Sequence, residues 1–167
     1  HPTSLIVESS LRGQPLLLNT TFSNGAAASS VTQGGQQTQK TDMVAPDTVV
    51  LPNMFFAAYE ALALRLGSVK PGTELKAYIA PQVEVGLRVG DSAEERIQTS
   101  SRTITARRYT LTVVNPTGAL PAELWTDEDG RLLRFRVPAQ ELDFARDDVA
   151  SVSARVERMA RTNDEQV

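Results

Sequence analysis

Residues 74 to 89 read ELKAYIAPQVEVGLRV, and their apolar side chains recur at every second position. Leu75, Ala77 and Ile79 form one series, and Val83, Val85, Leu87 and Val89 form another beyond Ala80-Pro81. A period of two is the mark of strands with one buried face. Such a face needs a cover, so the chain is limited to sheet-on-sheet or helix-on-sheet architectures.

More strands are predicted on either side. The sparsely charged stretch LLLNTTFSNGAAASSVTQGGQQTQKTDMV is expected to hold two or three short strands, parted at Asn24-Gly25 and Gly34-Gly35, with its Thr, Ser and Gln on a solvated face. A polar strand is expected from Glu94 to Thr99 and a long one from Arg102 to Val114. In the long strand Ile104 and Ala106 share one parity, and Tyr109, Leu111 and Val113 share the other. A bulge near Arg107 and Arg108 would bring all five to one side. AELWT, the hairpin turn DEDGRL, RLLRFRV and a last strand with Leu142 and Phe144 complete a meander.

One segment departs from this period. LPNMFFAAYEALALRLG, residues 51 to 67, is apolar nearly all the way round a helix, with only Glu60 and Arg65 charged. Pro52 and Asn53 suit its entry, and Gly67 suits a left-handed exit. A second helical pattern starts at Asp147, with Val149, Val152, Val156 and Met159 on one stripe. The fold class expected is therefore α+β: a curved antiparallel sheet, or half-barrel, wrapped around one central apolar helix, with a short C-terminal helix. Residues 1–150 are expected to form a single domain, possessing an exposed edge strand if its first strands precede the chain. Residues 151–167 are expected to be C-terminal helix and linker.

Several chemistries are disfavoured by what the sequence contains. It has no cysteine, and its one histidine, His1, stands at the extreme N-terminus where vector sequence is as plausible as native sequence. Thiolate and imidazole catalysis and their metal sites lose their ligands, and no catalytic, cofactor or metal residue is assigned. A net charge of −3 argues against nucleic-acid binding, and no apolar run is long enough to span a membrane. Asp127, Glu128, Asp129 and Gly130 fit a hairpin turn better than a calcium loop. Adjacent Glu94 and Glu95 point to opposite faces of a strand, which disfavours a shared carboxylate site.

Two groups of residues are candidates for binding. Met54, Phe55, Phe56, Tyr59, Leu62 and Leu66 on the apolar helix would line any cavity for a lipid or other hydrophobic ligand, although core packing fills the same space. Arg107, Arg108, Arg134 and Arg136, together with Arg131, would form a patch for an anion or a partner if their strands adjoin. Pairing with Glu123, Glu141 and Asp143 is the competing expectation. Trp125, on the Glu123 side of its strand, is expected to pack locally or meet a partner.

The order VVLPNMFFAAYEALALRL, KPGTEL and ARRYTLTVVNPTGALPAELWTDEDGRLLRFRVP resembles bacterial extracytoplasmic half-barrel domains, over roughly residues 45 to 150. Their architecture is similar to that of periplasmic lipoprotein carriers of the LolA/LolB type. Some such domains resemble non-catalytic N-terminal partners of α/β-hydrolases, and ARTNDEQV is similar to the linker into the enzyme. No Gly-x-Ser-x-Gly elbow occurs in this chain, so any hydrolase chemistry would belong to a neighbour. The resemblance implies a periplasmic or otherwise extracytoplasmic accessory or interaction domain that is not itself an enzyme. Its implied partners are an α/β-hydrolase domain or a second copy joined through an exposed edge strand. A carrier of lipid is the alternative.

Overall fold

In the structure, a computed structural model that describes residues 3–11, 13–52 and 58–150, the N-terminal turns are the first expectation met. Asn24 and Gly25 have φ of 50° and 75°, and Gly34 and Gly35 have 56° and 81°. Two consecutive residues of positive φ make the turn whose twist matches a two-stranded hairpin, which is why Asn-Gly and Gly-Gly stand there. The turns join β2 (Gln14–Ser23), β3 (Ala26–Gln33) and β4 (Gln36–Met43), and β1 (Ser4–Leu11) precedes them in an antiparallel four-stranded sheet of order β1-β2-β3-β4.

Its register puts Val7 opposite Leu18 and Leu18 opposite Val31, so these side chains share one face. Leu18, Ala27 and Val44 form a core there with Tyr78 and Ala80, and Leu5, Val7, Phe22, Val31 and Val50 pack around them. Tyr78 comes from β6 (Glu74–Ala80), which pairs in parallel with the short β5 (Val49–Pro52). Residues 1–58 and 74–87 make up this compact unit.

Most polar side chains buried in it are paired, the Thr48 hydroxyl being the exception. Thr20 and Ser29 share a hydroxyl hydrogen bond of 2.8 Å, and the fully buried Tyr78 donates its hydroxyl to Asp42 Oδ2 at 2.7 Å. Asp42 meets the Lys40 ammonium at 2.9 Å, and Lys40 also donates to the carbonyls of Pro81 and Gln82. Burial first, and then the Asp42 contact, pushes the Tyr78 phenol up to about 12, although a hydrogen bond with Ser29 opposes the rise.

The second unit holds residues 59–73 and 88–167. It contains α1 (Tyr59–Leu66), β8 (Thr103–Asn115), β9 (Gly118–Thr126), β10 (Leu132–Val137) and β11 (Leu142–Ala145). β7 (Val83–Gln98) belongs to both units, and the second sheet has the order β11-β10-β9-β8-β7-β6-β5. The expected polar strand from Glu94 is thus the far end of β7. A helical turn occupies residues 147–150, where the second helical pattern was expected to start, and residues 151–167 lie outside the described residues.

The expected fold class is corrected here. The chain does build an antiparallel-rich sheet of half-barrel type with few helices. It is nonetheless largely β, with two sheets, one of them mixed, and α1 is the one α-helix of any length among the described residues, so no sheet is wrapped around a central helix. The reason lies in α1 itself. Tyr59, Leu62, Ala63 and Leu66 are buried at the i, i+3, i+4, i+7 spacing of a single stripe, whereas Leu64 is 56% exposed and Ala61 is exposed. Apolar residues all round the helix did not mean burial all round it, because alanine and one leucine are tolerated in water.

Two smaller expectations also change. Gly67 is not among the residues of positive φ; the last helical carbonyls are met by amides of Gly67, Ser68 and Val69 and by the Ser68 hydroxyl on Arg65 O at 2.8 Å. β8 pairs with β9 in unbroken register from Arg107 to Asn115, and the register shift falls in β10, between Leu132 and Arg134. Ile104 and Ala106 therefore face one side of the sheet and Leu111 the other, and all three are buried.

If α1 buries a single stripe, Leu62→Ala should cost about 2–5 kcal/mol and Leu64→Ala less than about 0.5 kcal/mol in urea unfolding. Equal losses would restore the all-round helix. The raised phenol of Tyr78 gives stability that is intact below the ordinary tyrosine range near 10 and is lost as pH climbs through about 12. Thermal midpoints measured between about pH 9 and 12 should fall less steeply in Tyr78→Phe than in the native chain.

Candidate functional site

The arginines expected to form a patch are split by strand alternation. Arg107 and Arg108 are neighbours on β8 and face opposite sides, and each finds a carboxylate from the same neighbouring pair on β7. Arg107 Nη2 donates to Glu94 Oε1 at 2.9 Å, while Arg108 Nε stands 3.8 Å from Glu95 Oε2. The opposed directions of Glu94 and Glu95, expected from the strand period, are thus matched charge for charge. Arg108 also reaches Glu123 Oε1 at 3.3 Å.

On the Arg108 side stands Trp125, 7% exposed, packed with Ile104, Ala106, Leu133 and Val149. Its indole nitrogen donates to Glu95 Oε1, and the Arg134 guanidinium lies 5.7 Å from its ring centroid. The β10 register shift sets Arg134 opposite Trp125 on β9, and the unbroken register with β11 sets it opposite Ala145. Arg134 grips Asp143 with two nitrogens, Nε at 2.8 Å from Oδ1 and Nη2 on Oδ2. The exposed Arg136 is aligned with Glu123 and Asp143 in the flanking strands.

The structure therefore brings Arg108, Arg134 and Arg136 to one sheet face among Glu95, Glu123 and Asp143, with Arg107 on the reverse. Hydrogen bonding from Arg134, aided by the charge of Arg136, holds Asp143 below the usual carboxylate range, and Asp143 in turn raises Arg134. Arg146 likewise lowers Asp148 through a two-nitrogen grip at 2.7 and 2.9 Å. Exposed pairs of this kind contribute about 0.2–1 kcal/mol each. What the arrangement does chemically is to clothe a tryptophan and balance charge.

Of the apolar candidates, Tyr59, Leu62 and Leu66 are buried, and Met54, Phe55 and Phe56 lie outside the described residues. Tyr59 stacks on Phe135 at 4.6 Å between centroids and approaches Phe144 at 5.8 Å, and burial raises its phenol. Glu60, on the same helix, accepts from the Leu132 amide at 2.8 Å and from Arg131. The acidic run closes a hairpin as expected: Asp127 Oδ1 accepts from the amides of Asp129 and Arg131. No group of three metal-binding side chains occurs among the described residues, and none of their helices is long and apolar enough to cross a membrane.

A region not singled out as a site is the outward face of the four-stranded sheet. By register its cross-strand rows are Ser4-Thr21-Ala28-Thr41, Ile6-Asn19-Ser30-Gln39 and Glu8-Leu17-Thr32-Gln37, with Met43 beside Ala26 at the end. Only Glu8 among these positions carries a charge. Ile6 is 62% exposed, Leu17 41% and Met43 76%. A groove of about 270 Å³ crosses the middle of the face, lined by Asn19, Thr21, Ala28, Ser29, Ser30, Gln39, Lys40 and Thr41. The signal was in the sequence as a long uncharged stretch, residues 13–39, that holds both turn signals and reads equally well as plain solvation.

Comparison with models of known protein families, with curated proteins and with solved structures returns no match.

The lowered carboxyls of Asp143 and Asp148 give stability that is present above the ordinary carboxylate range and lost as pH falls through their depressed values. Asp143→Asn should lower the thermal midpoint by about 1–3 °C at neutral pH and by less at about pH 2.5, read by circular dichroism. A deficit that grows as pH falls would contradict this assignment.

Proposed function

We propose that this chain is a non-enzymatic accessory or interaction domain of an extracytoplasmic protein, acting beside a catalytic neighbour of the α/β-hydrolase kind and presenting the outward face of β1–β4. The observation that carries the reading is the chemistry of that face. Of the five large apolar side chains exposed among the described residues, three, Ile6, Leu17 and Met43, stand there, in a setting with a single charge. Exposed apolar groups gathered on a nearly neutral surface are a feature of recognition surfaces. The fold would then be a platform, with the buried faces securing it and the outward face meeting the partner.

The packing of Tyr59 against Phe135 and Phe144 supports this reading over the lipid carrier, because the rings occupy space beside α1 that a guest would need. The isolated chain should hydrolyse short p-nitrophenyl esters no faster than buffer, and solvent extraction should release no stoichiometric lipid by mass spectrometry. Turnover abolished by one substitution in this chain would make it an enzyme, and one lipid per chain would make it a carrier. Ile6→Lys with Leu17→Lys should leave the unfolding free energy within about 0.5 kcal/mol per site, as expected for side chains kept for a partner rather than for the fold.

A further inference from the structure

Inferring further from the same face, we propose that the groove across β2, β3 and β4 binds a neutral polyhydroxylated ligand, an uncharged oligosaccharide segment. This deepens the interaction reading by naming what the face takes, and it rests on that reading for the face's role. The groove's floor is Ala28, flanked in its row by Thr21 and Thr41 and bordered by the Asn19-Ser30-Gln39 row. These rows span two strand spacings, about 10 Å. Its volume of about 270 Å³ falls just below the roughly 300–1,000 Å³ usual for small-molecule sites, which suits a short stretch of ligand lying across the strands.

The lining decides the ligand class. Amides and hydroxyls both donate and accept, as sugar hydroxyls do, so each can meet a polyol in either sense. Gln37 donates to Ser30 Oγ at 2.7 Å, but among the described residues Asn19, Thr21, Gln39 and Thr41 spend no side-chain hydrogen bond on the protein. Their capacity is open to the outside. The inward pair Thr20 and Ser29, one residue away in each strand, is in contrast satisfied within the fold.

Charge complementarity excludes the other classes. An anionic ligand would need a cation, and although Lys40 lines the groove, its ammonium is turned to the sheet's other face, on Asp42 and on the carbonyls of Pro81 and Gln82. A cationic ligand would find only Glu8, which lies one row beyond the groove. An apolar ligand would strip water from four amides and hydroxyls without replacing their hydrogen bonds, which is costly. A neutral polyol meets none of these penalties.

Titration of the full chain with cellohexaose, maltohexaose and an N-acetylglucosamine hexamer, followed by ¹H–¹⁵N correlation spectra, tests the proposal. At least one should bind with a Kd of about 0.1–10 mM and shift the amides of Asn19, Thr21, Ala28, Ser30, Gln39 and Thr41. Ala28→Phe, at an exposed position where an aromatic side chain suits a strand, should weaken binding at least about tenfold by filling the groove, and Gln39→Ala about threefold. Native dispersion of the spectra verifies that both variants fold. Absence of shifts with all three sugars, shifts confined to other surfaces, or native affinity in Ala28→Phe would each overturn it. Those failures would leave the non-enzymatic reading standing, since that rests on the ester and lipid measurements.

Discussion

Burial on both faces of the second unit's sheet is the constraint from which its other features follow. β8 sends Ile104 and Ala106 to one side and Leu111 to the other, and each must be covered. One side is met by α1, whose Tyr59 packs on Phe135 and Phe144. The other has no helix of comparable size among the described residues, and its cover is Trp125 with Leu133 and Val149. A tryptophan so placed brings a ring edge that must be hydrogen-bonded and a broad face open to cations, which Glu95 and Arg134 supply. The arginine and glutamate pairs along this face are thus consequences of covering it with an indole.

The register shift in β10 belongs to the same solution. It turns Leu133 to the Trp125 side of the sheet while Phe135, two residues on, faces α1. In the first unit the sheet is simpler, with one face apolar and one face wet. Two pairs of its buried polar groups, Thr20 with Ser29 and Tyr78 with Asp42, are closed among themselves, and the Thr48 hydroxyl is left without a partner.

Local signals in the sequence were the ones the structure reproduces. Asn24-Gly25, Gly34-Gly35 and the Asp127–Gly130 turn announced their hairpins because their conformations depend on the residues within them. Period-two runs announced β6 to β10 for the same reason. What was illegible depended on partners far along the chain. A change of buried face within β8 looks in sequence like a bulge, since parity alone does not say that both sides of a sheet are covered. Val49–Pro52 reads as the approach to a helix, and nothing within it tells of a parallel partner at Ala77–Ala80. The apolar content of α1 misled because the number of alanines and leucines does not record which of them faces water. Of the candidate residues, Arg107 and Arg108 were expected in one patch, and unbroken alternation along β8 separates them, whereas the outward face was visible only as a lack of charge.

The contrast between the two kinds of pairing in the first unit bears on the order in which the chain assembles. β1 to β4 can zip from their two-residue turns, each strand meeting one adjacent in sequence, so little chain entropy is spent before the first contacts are rewarded. Val49 has to find Ala77, with the whole of α1 intervening. The four antiparallel strands thus close short loops and the parallel pair closes a long one, the pairing that loop entropy makes the slower to form.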